Sequence, residues 1–252
     1  MRGLLVSDLH YALKQFDWVQ AAASGFDLVV IAGDSLDISS YVAVEAQIVV
    51  VSKYLRRTAE RTRLIASSGN HDLNARGADG EQVATWLARG RVPGVLSDGE
   101  YVEIDDVSIT VCPWWDGPQG CAEVGRQLAR DAARRLRRWI WVYHAPPDTS
   151  PTSWTGSKYY GDTELVRWAR EHQPDLVLTG HVHQSPFRQG GSWVDRIGET
   201  WVFNAGRQMA PEPPYVVFDT TAGTAVWRSL AGNEIVQLDR PLVRPVSAFI
   251  PP

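Results

Sequence analysis

Unbroken apolar runs alternate along this chain with stretches whose hydrophobic residues recur every three or four positions. Runs of the first kind suit strands buried on both faces and stretches of the second kind suit amphipathic helices, so the alternation predicts a layered α/β fold. Residues 4–6 predict a first strand, and residues 13–23 a helix with Phe16, Val19 and Gln20 at helical spacing. The run at 27–32 predicts a second strand, 41–57 a helix striped by Tyr41, Val44, Ile48, Val51 and Leu55, and 64–66 a third strand. Residues 100–104 and 107–112 predict a hairpin turning at Asp105 and Asp106; 139–143 and 176–178 add two more strands. Shorter strands are expected at 193–194, 200–203, 215–218 and 224–228, with a hairpin at Ala222 and Gly223. Residues 1–240 are expected to form a single domain, and the Pro-rich stretch 241–252 an arm or loosely packed tail.

Polar motifs punctuate this pattern where strands should end. Asp8-Leu9-His10, Gly33-Asp34-Ser35-Leu36-Asp37, Gly69-Asn70-His71-Asp72, His144 and Gly180-His181-Val182-His183 follow, directly or within a few residues, a predicted strand. In α/β sheets ligands bind beyond the carboxyl ends of strands, so residues far apart in sequence are expected to meet along one rim. Asp8, His10, Asp34, Asn70, His144, His181 and His183 offer carboxylate, amide oxygen and imidazole without thiolate. Such a set suits manganese, iron, zinc or cobalt, and it is too large for one ion. Two ions sharing a carboxylate can clamp the attacking and departing oxygens of an in-line displacement at phosphorus. His172 alone among the histidines lacks such neighbours and is expected at a solvated helix end.

The ordered series Asp-x-His, Gly-Asp-x-x-Asp, Gly-Asn-His-Asp, His and Gly-His-x-His resembles that of the calcineurin-like metallophosphoesterases, and Phe203-Asn204-Ala205-Gly206 resembles a further, weaker element of that family. The resemblance implies a four-layer α/β/β/α sandwich of two mixed sheets flanked by helices, with a dimetal site at strand C-terminal ends. It implies that Asp8, His10 and His183 hold one ion, that Asn70, His144 and His181 hold a second, and that Asp34 bridges them. The ions would be divalent or trivalent, manganese first, with iron, zinc or cobalt as alternatives. It further implies that His71, partnered by Asp37, protonates the leaving group while a metal-bridging hydroxide attacks in line. Asp72 is expected to cap a helix in preference to supporting a ligand. Ile38-Ser39 after Asp37, and Asp72 where the family's protein phosphatases carry Glu, point away from protein phosphatases and towards the phosphodiesterase and nuclease branches. A phosphomonoesterase, a nuclease and a non-catalytic scaffold on the same fold are the competing readings; the intact motif set argues against the last.

Charge and composition narrow the partners. A net charge of −4 offers no general attraction to nucleic acid, and the cluster at 134–138 is expected to be a solvated helix end. No apolar stretch approaches the length of a membrane span. Two cysteines, Cys112 and Cys121, form no disulfide framework, and the first strand pattern begins almost at residue 1; together these lead to the expectation of a cytoplasmic protein without a cleavable leader. A chain of 252 residues whose motifs end at His183 leaves little room for a large cap, so small soluble phosphodiesters are the expected substrates. Trp114, Trp115, Trp154, Lys158, Tyr159, Arg188 and Arg207 lie in loops near the motifs. Trp114 and Trp115 are read equally as core or as stacking surfaces, whereas Lys158 and Arg207 are read first as surface charges and second as phosphate contacts.

Overall fold

The computed structural model describes residues 1–249, so residues 250–252 at the end of the expected tail lie outside the described residues. The chain runs β1 (Arg2–Val6), α1 (Leu13–Ala22), β2 (Leu28–Ala32), α2 (Val44–Ala59) and β3 (Arg63–Ser67). A short ribbon, β4 (Ala75–Arg76) and β5 (Gln82–Val83), precedes β6 (Val95–Leu96), β7 (Tyr101–Ile104) and β8 (Val107–Val111). Then come α3 (Pro118–Ala132), β9 (Arg138–Val142), α4 (Thr163–His172), β10 (Leu176–Thr179), β11 (Val194–Ile197) and β12 (Thr200–Asn204). The last strands are β13 (Tyr215–Asp219), β14 (Thr224–Ser229), β15 (Gly232–Gln237) and β16 (Ser247–Ala248).

These strands build one eight-stranded sheet, ordered β16-β15-β14-β13-β1-β2-β3-β6, and one six-stranded sheet, ordered β11-β12-β10-β9-β8-β7. Side chains alternate across each strand, and the alternation sorts them into three cores. Leu5, Val30, Ile140, Val142 and Leu178 point between the sheets with Phe203 and Phe218. Leu4, Val6, Val29 and Ile31 pack outward against Phe16, Val51 and Leu55 of α1 and α2. Trp139, Trp141 and Val177 face Val124, Leu128 and Trp168 of α3 and α4. The result is the expected helix, sheet, sheet, helix layering, with both sheets mixed. Each fully buried aliphatic or aromatic side chain in these layers contributes about 1.5–3 kcal/mol relative to exposure. Among the described residues no helix is long and apolar enough to cross a membrane.

Four local features bear on the expectations. Helix α2 starts at Val44, because Gln47 reaches back to accept from the Asp37 amide (2.8 Å) and donate to the carbonyls of Asp37 (2.9 Å) and Val42 (2.7 Å). That tether holds residues 37–43 as a loop, and Tyr41 stands fully exposed on it. The Pro-rich closing segment is docked: Leu242 and Val246 pack on the inter-sheet core, Ser247 and Ala248 pair with β15, and Arg244 donates to the Val194 carbonyl and the Asp195 carboxylate at 2.9 Å. The basic cluster lies largely exposed just past α3, as expected, and is also engaged within the chain, with Arg134 bridging Asp131 at 2.8 Å and lying 3.7 Å over the Tyr101 ring, and Arg135 donating to carbonyls at the end of α4. His172 does end α4, but half-buried, its ring edge-on to Trp139 and Trp141 at 6.2 Å.

Candidate metal centre

Parallel strands β1, β2 and β3 of one sheet and β9, β10 and β12 of the other end at the same rim. Five of them deliver the motifs there: Asp8 and His10 after β1, Asp34 after β2, Asn70 and His71 after β3, His144 after β9, and His181 and His183 after β10. The backbone turns sharply at this rim. Asp8, His10, Tyr11, Asp34 and His181 have φ between +42° and +68°, five of the eight non-glycine residues in the left-handed region among those described. Such positions cost energy for residues with a Cβ and persist only where surrounding contacts hold them. Here the contacts are backbone bonds between loops: Asp8 N–H to the Gly33 carbonyl (3.1 Å), His10 N–H to Asp34 (2.9 Å) and Tyr11 N–H to Ser35 (2.9 Å).

The side chains converge in three groups, within each of which the donor atoms lie within 4.8 Å of one another: Asp8, His10, Asp34 and His183; Asp34, His144 and His181; His10, Asp37 and His71. Asp34 belongs to the first two. Its carboxylate lies 3.6 Å from His10 Nε2 and 3.3 Å from His144 Nε2, while Asp8 Oδ1 lies 3.3 Å from His183 Nε2. His10 Nε2 and His183 Nε2 face each other at 3.0 Å, and Asn70 Oδ1 meets His181 Nδ1 at 2.8 Å. Every residue expected to hold metal, and the His71/Asp37 pair, is therefore at one place. Asp37 Oδ1 stands 3.8 Å from His71 Nδ1, longer than a hydrogen bond, and the Ile38 amide approaches the same nitrogen at 3.4 Å.

This donor set fits two cations. His144 Nδ1 donates to the Ala32 carbonyl (2.7 Å), which leaves buried Nε2 facing the Asp34 carboxylate at 3.3 Å as the ring nitrogen available to a cation. Burial disfavours the charged imidazole, yet Asp34 and Asp8 outweigh it and push His144 up to about 9. The site therefore calls for positive charge. Burial lowers His10 and His181 to about 4, so both present free lone pairs at neutral pH. Asp8 sits well below the usual carboxylate range: burial opposes ionisation, but His183, His144 and His10 overcome it.

Supporting contacts tie the loops together. Asp72 caps no helix: its buried carboxylate accepts from the amides of Gly69 (2.8 Å), Leu36 (3.0 Å) and Ser35 (3.3 Å), clamping the Asp34 loop to the Asn70 loop. After His71 the chain leads into the β4/β5 ribbon, so no helix N-terminus exists there for it to cap. Asn204 Nδ2 donates to the carbonyls of Thr152 and Val182 and to Ser185 Oγ, and the Arg207 amide bonds the His183 carbonyl at 3.0 Å, bracing the last histidine loop. Gly69 is required for space, since a Cβ there would stand 2.6 Å from the Asp34 amide nitrogen and 2.7 Å from His144 Nε2. Gly69→Ala should cost about 1–3 kcal/mol of stability and lower metal loading, measured by thermal melts and elemental analysis. Unchanged melting and loading would show that the loops have slack.

Asp98 accepts from the Ser68 amide (2.9 Å), and desolvation pushes its carboxyl up to about 7. An acid raised in this way contributes stability in full below the unfolded carboxyl value near 4, and loses it as pH rises through about 7. Metal-free Asp98→Asn protein should therefore melt above the wild type at pH 8 and show no gain at pH 4; a gain confined to pH 4 would contradict the assignment.

Of the expected substrate contacts, the Trp114 ring lies 5.2 Å from His181 and 5.6 Å from His144, and the Trp115 indole N–H donates to the Tyr143 hydroxyl at 2.6 Å. Both line a cleft of about 330 Å³ that opens off the centre. Lys158 Nζ stands 5.5 Å over Tyr160, while Arg207 is close enough for its charge to lower His10 and lines a separate cavity with Lys14. Trp154 packs on Tyr159 and donates to the Gln189 carbonyl, and neither it nor Arg188 lines the cleft. Tyr160, stacked on His181 at 5.2 Å and 19°, is not among the residues expected from the sequence. The tandem Tyr159-Tyr160 is the available signal, but adjacency leaves open which ring turns inward.

A family model described as calcineurin-like phosphoesterase matches residues 1–185. TT1561 of Thermus thermophilus is similar in fold, with a TM-score of 0.60 at 14% identity over 94% of this chain and 98% of that one. Purple acid phosphatase PPD1 from yellow lupin seeds gives a TM-score of 0.55 at 12% identity over 96% of this chain and 52% of that one. No curated protein matches the chain.

Proposed function

The chain belongs to the calcineurin-like phosphoesterase family, and from that premise we propose that this metal-dependent phosphoester hydrolase is a phosphodiesterase of small, soluble diesters, working with two manganese ions in the cytoplasm. The observation that carries the two-metal part of the reading is the pair of donor groups sharing Asp34, and the diester preference rests on Ile38-Ser39 after Asp37 and on Asp72. Asp8, His10 and His183 would hold one ion, Asn70, His144 and His181 the other, and Asp34 both. When bound, two such cations polarise phosphoryl oxygens and make water acidic enough to ionise near neutral pH.

The protein's own residues do the rest. Asp34 Oδ1 accepts the His71 amide at 2.8 Å, so the carboxylate that would join the ions also positions the proposed acid. His71 lies with its ring 4.4 Å from that of His10, at the edge of the centre and partly exposed, where a departing alkoxide can reach it. Its Nδ1 has two neighbours, the Ile38 amide and Asp37, and the acid role uses the second: with the ring rotated so that Nδ1–H points to Asp37, that carboxylate steadies the imidazolium while Nε2 releases its proton to the leaving oxygen. Closing 3.8 Å to hydrogen-bond length is a small adjustment of the kind that substrate binding supplies. Arg207, unpaired by any acid among the described residues, is suited to a non-bridging phosphoryl oxygen.

A panel of p-nitrophenyl monoester, bis(p-nitrophenyl) ester, nucleotide diesters and duplex DNA, assayed with manganese alongside elemental analysis, tests this. Diesters should be cleaved fastest. Faster cleavage of the monoester would overturn the diesterase assignment, and faster cleavage of duplex DNA the preference for small substrates.

A further inference from the structure

The cleft beside the centre is walled by three aromatic rings whose placement the hydrolytic chemistry does not require. Trp114, Trp115 and Tyr160 line it together with Tyr143, His144 and His181. Tyr160 is 55% exposed, although its ring is held nearly parallel to His181. Trp115 has its ring plane fixed by the bond to Tyr143, and the Trp114 amide donates to Ser68 Oγ at 2.8 Å, tying that residue to the loop that carries Asn70. Rings already oriented lose little freedom on stacking with a ligand.

The polar groups at the cleft's base are engaged with one another. The Tyr143 hydroxyl accepts from Trp115 and donates to the Asp162 carboxylate, and Asp162 also caps α4 by accepting from the amides of Glu164 (2.7 Å) and Leu165 (3.4 Å). A sugar or peptide entering here would lose hydrogen bonds to water and find few replacements, whereas a flat ring would lose little. A volume of about 330 Å³ is at the small end of ligand pockets and suits one ring system.

Position then decides which end of the substrate this ring carries. His71 groups with His10 and Asp37, whereas Trp114 and Tyr160 contact His181, and Trp114 also His144. The oxygen that leaves must lie within reach of His71, so the substituent beside His181 is the one that stays on phosphorus. Resting on the diesterase reading above, we infer that the Trp114/Trp115/Tyr160 cleft seats a flat aromatic ring on the retained side of the diester, making aryl or nucleoside esters the preferred substrates.

Three diesters with the same p-nitrophenolate leaving group isolate this effect: methyl, phenyl and thymidine 5′-esters, assayed with the manganese-loaded full chain. Stacking on a protein ring predicts a roughly tenfold to hundredfold higher kcat/KM for the phenyl or thymidine ester than for the methyl ester. A preference for phenyl alone assigns the cleft to aryl groups; one that includes thymidine assigns it to nucleosides. Tyr160→Ala, at an exposed position, and Trp114→Ala should each shrink the ratio to within about threefold, and Trp114→Phe should retain most of it. A wild-type ratio under threefold, or a ratio that survives both alanine variants, would overturn the inference. Failure of the diesterase reading is seen separately, as absence of turnover with all three esters. In that event calorimetric binding of phenyl phosphate and methyl phosphate decides: at least tenfold tighter binding of the phenyl compound, lost in Tyr160→Ala, upholds the cleft, and equal affinities sink it.

Discussion

Asp34→Asn is expected to lose both metal occupancy and turnover, with kcat/KM falling by about a thousandfold, equivalent to roughly 4 kcal/mol of transition-state stabilisation. Asparagine keeps the shape and the oxygen that accepts the His71 amide, so the loops should stay in place. What disappears is the one negative charge common to both donor groups. Without it His144 loses the strongest support for its charged state against burial, and its pKa should drop from about 9. The loss of charge thus weakens the attraction for the first ion and the second alike. Elemental analysis, steady-state kinetics and an NMR titration of the histidine ring report the three consequences separately. A variant that binds both ions and retains wild-type turnover would remove Asp34 from its bridging role.

His71→Gln should behave differently. No donor group assigned to either ion contains His71, so metal content should stay near the wild-type level while kcat falls by about 10²–10⁴-fold. The loss should depend on the leaving group. A p-nitrophenolate departs without help and should suffer least, whereas an alkyl or nucleoside alkoxide needs a proton and should suffer most. Plotting log kcat against the leaving-group pKa should therefore steepen in the variant. An equal loss for all esters, or an emptied metal site, would remove His71 from the role of acid. Gln47 and Asp72 fix the loops on either side of this residue, the first at Asp37 and the second at Gly69, so the glutamine side chain is expected to enter an intact setting.

The central elements of the fold are legible in the sequence because burial imposes local periodicity. Leu28–Ala32 is buried throughout and continuous in its apolar character, and α1 and α2 bury the stripes their spacing shows. Less legible are β6 and β16, which occupy only two positions each, and β15, whose six residues are mostly partly exposed. The start of α2 departs from expectation because Tyr41 matches the helical stripe, whereas the Gln47 tether, a polar contact across ten positions, delays the helix by three residues. Asp72 illustrates the same limit: its motif suggests a cap, but its acceptors are filled by amides from two loops, one of them more than thirty positions away.

The chain's order of residues determined the donor chemistry and its placement at strand ends, because side-chain type and local burial period are properties of neighbours. Tertiary structure alone decided that His10 meets His183 across 173 positions, that left-handed turns at Asp8, Asp34 and His181 aim those residues inward, and that Tyr160 and not Tyr159 covers His181. The physical reason is that two separately twisted sheets must first pack through Phe203 and Phe218 before their rims, and the loops they carry, can come within bonding distance.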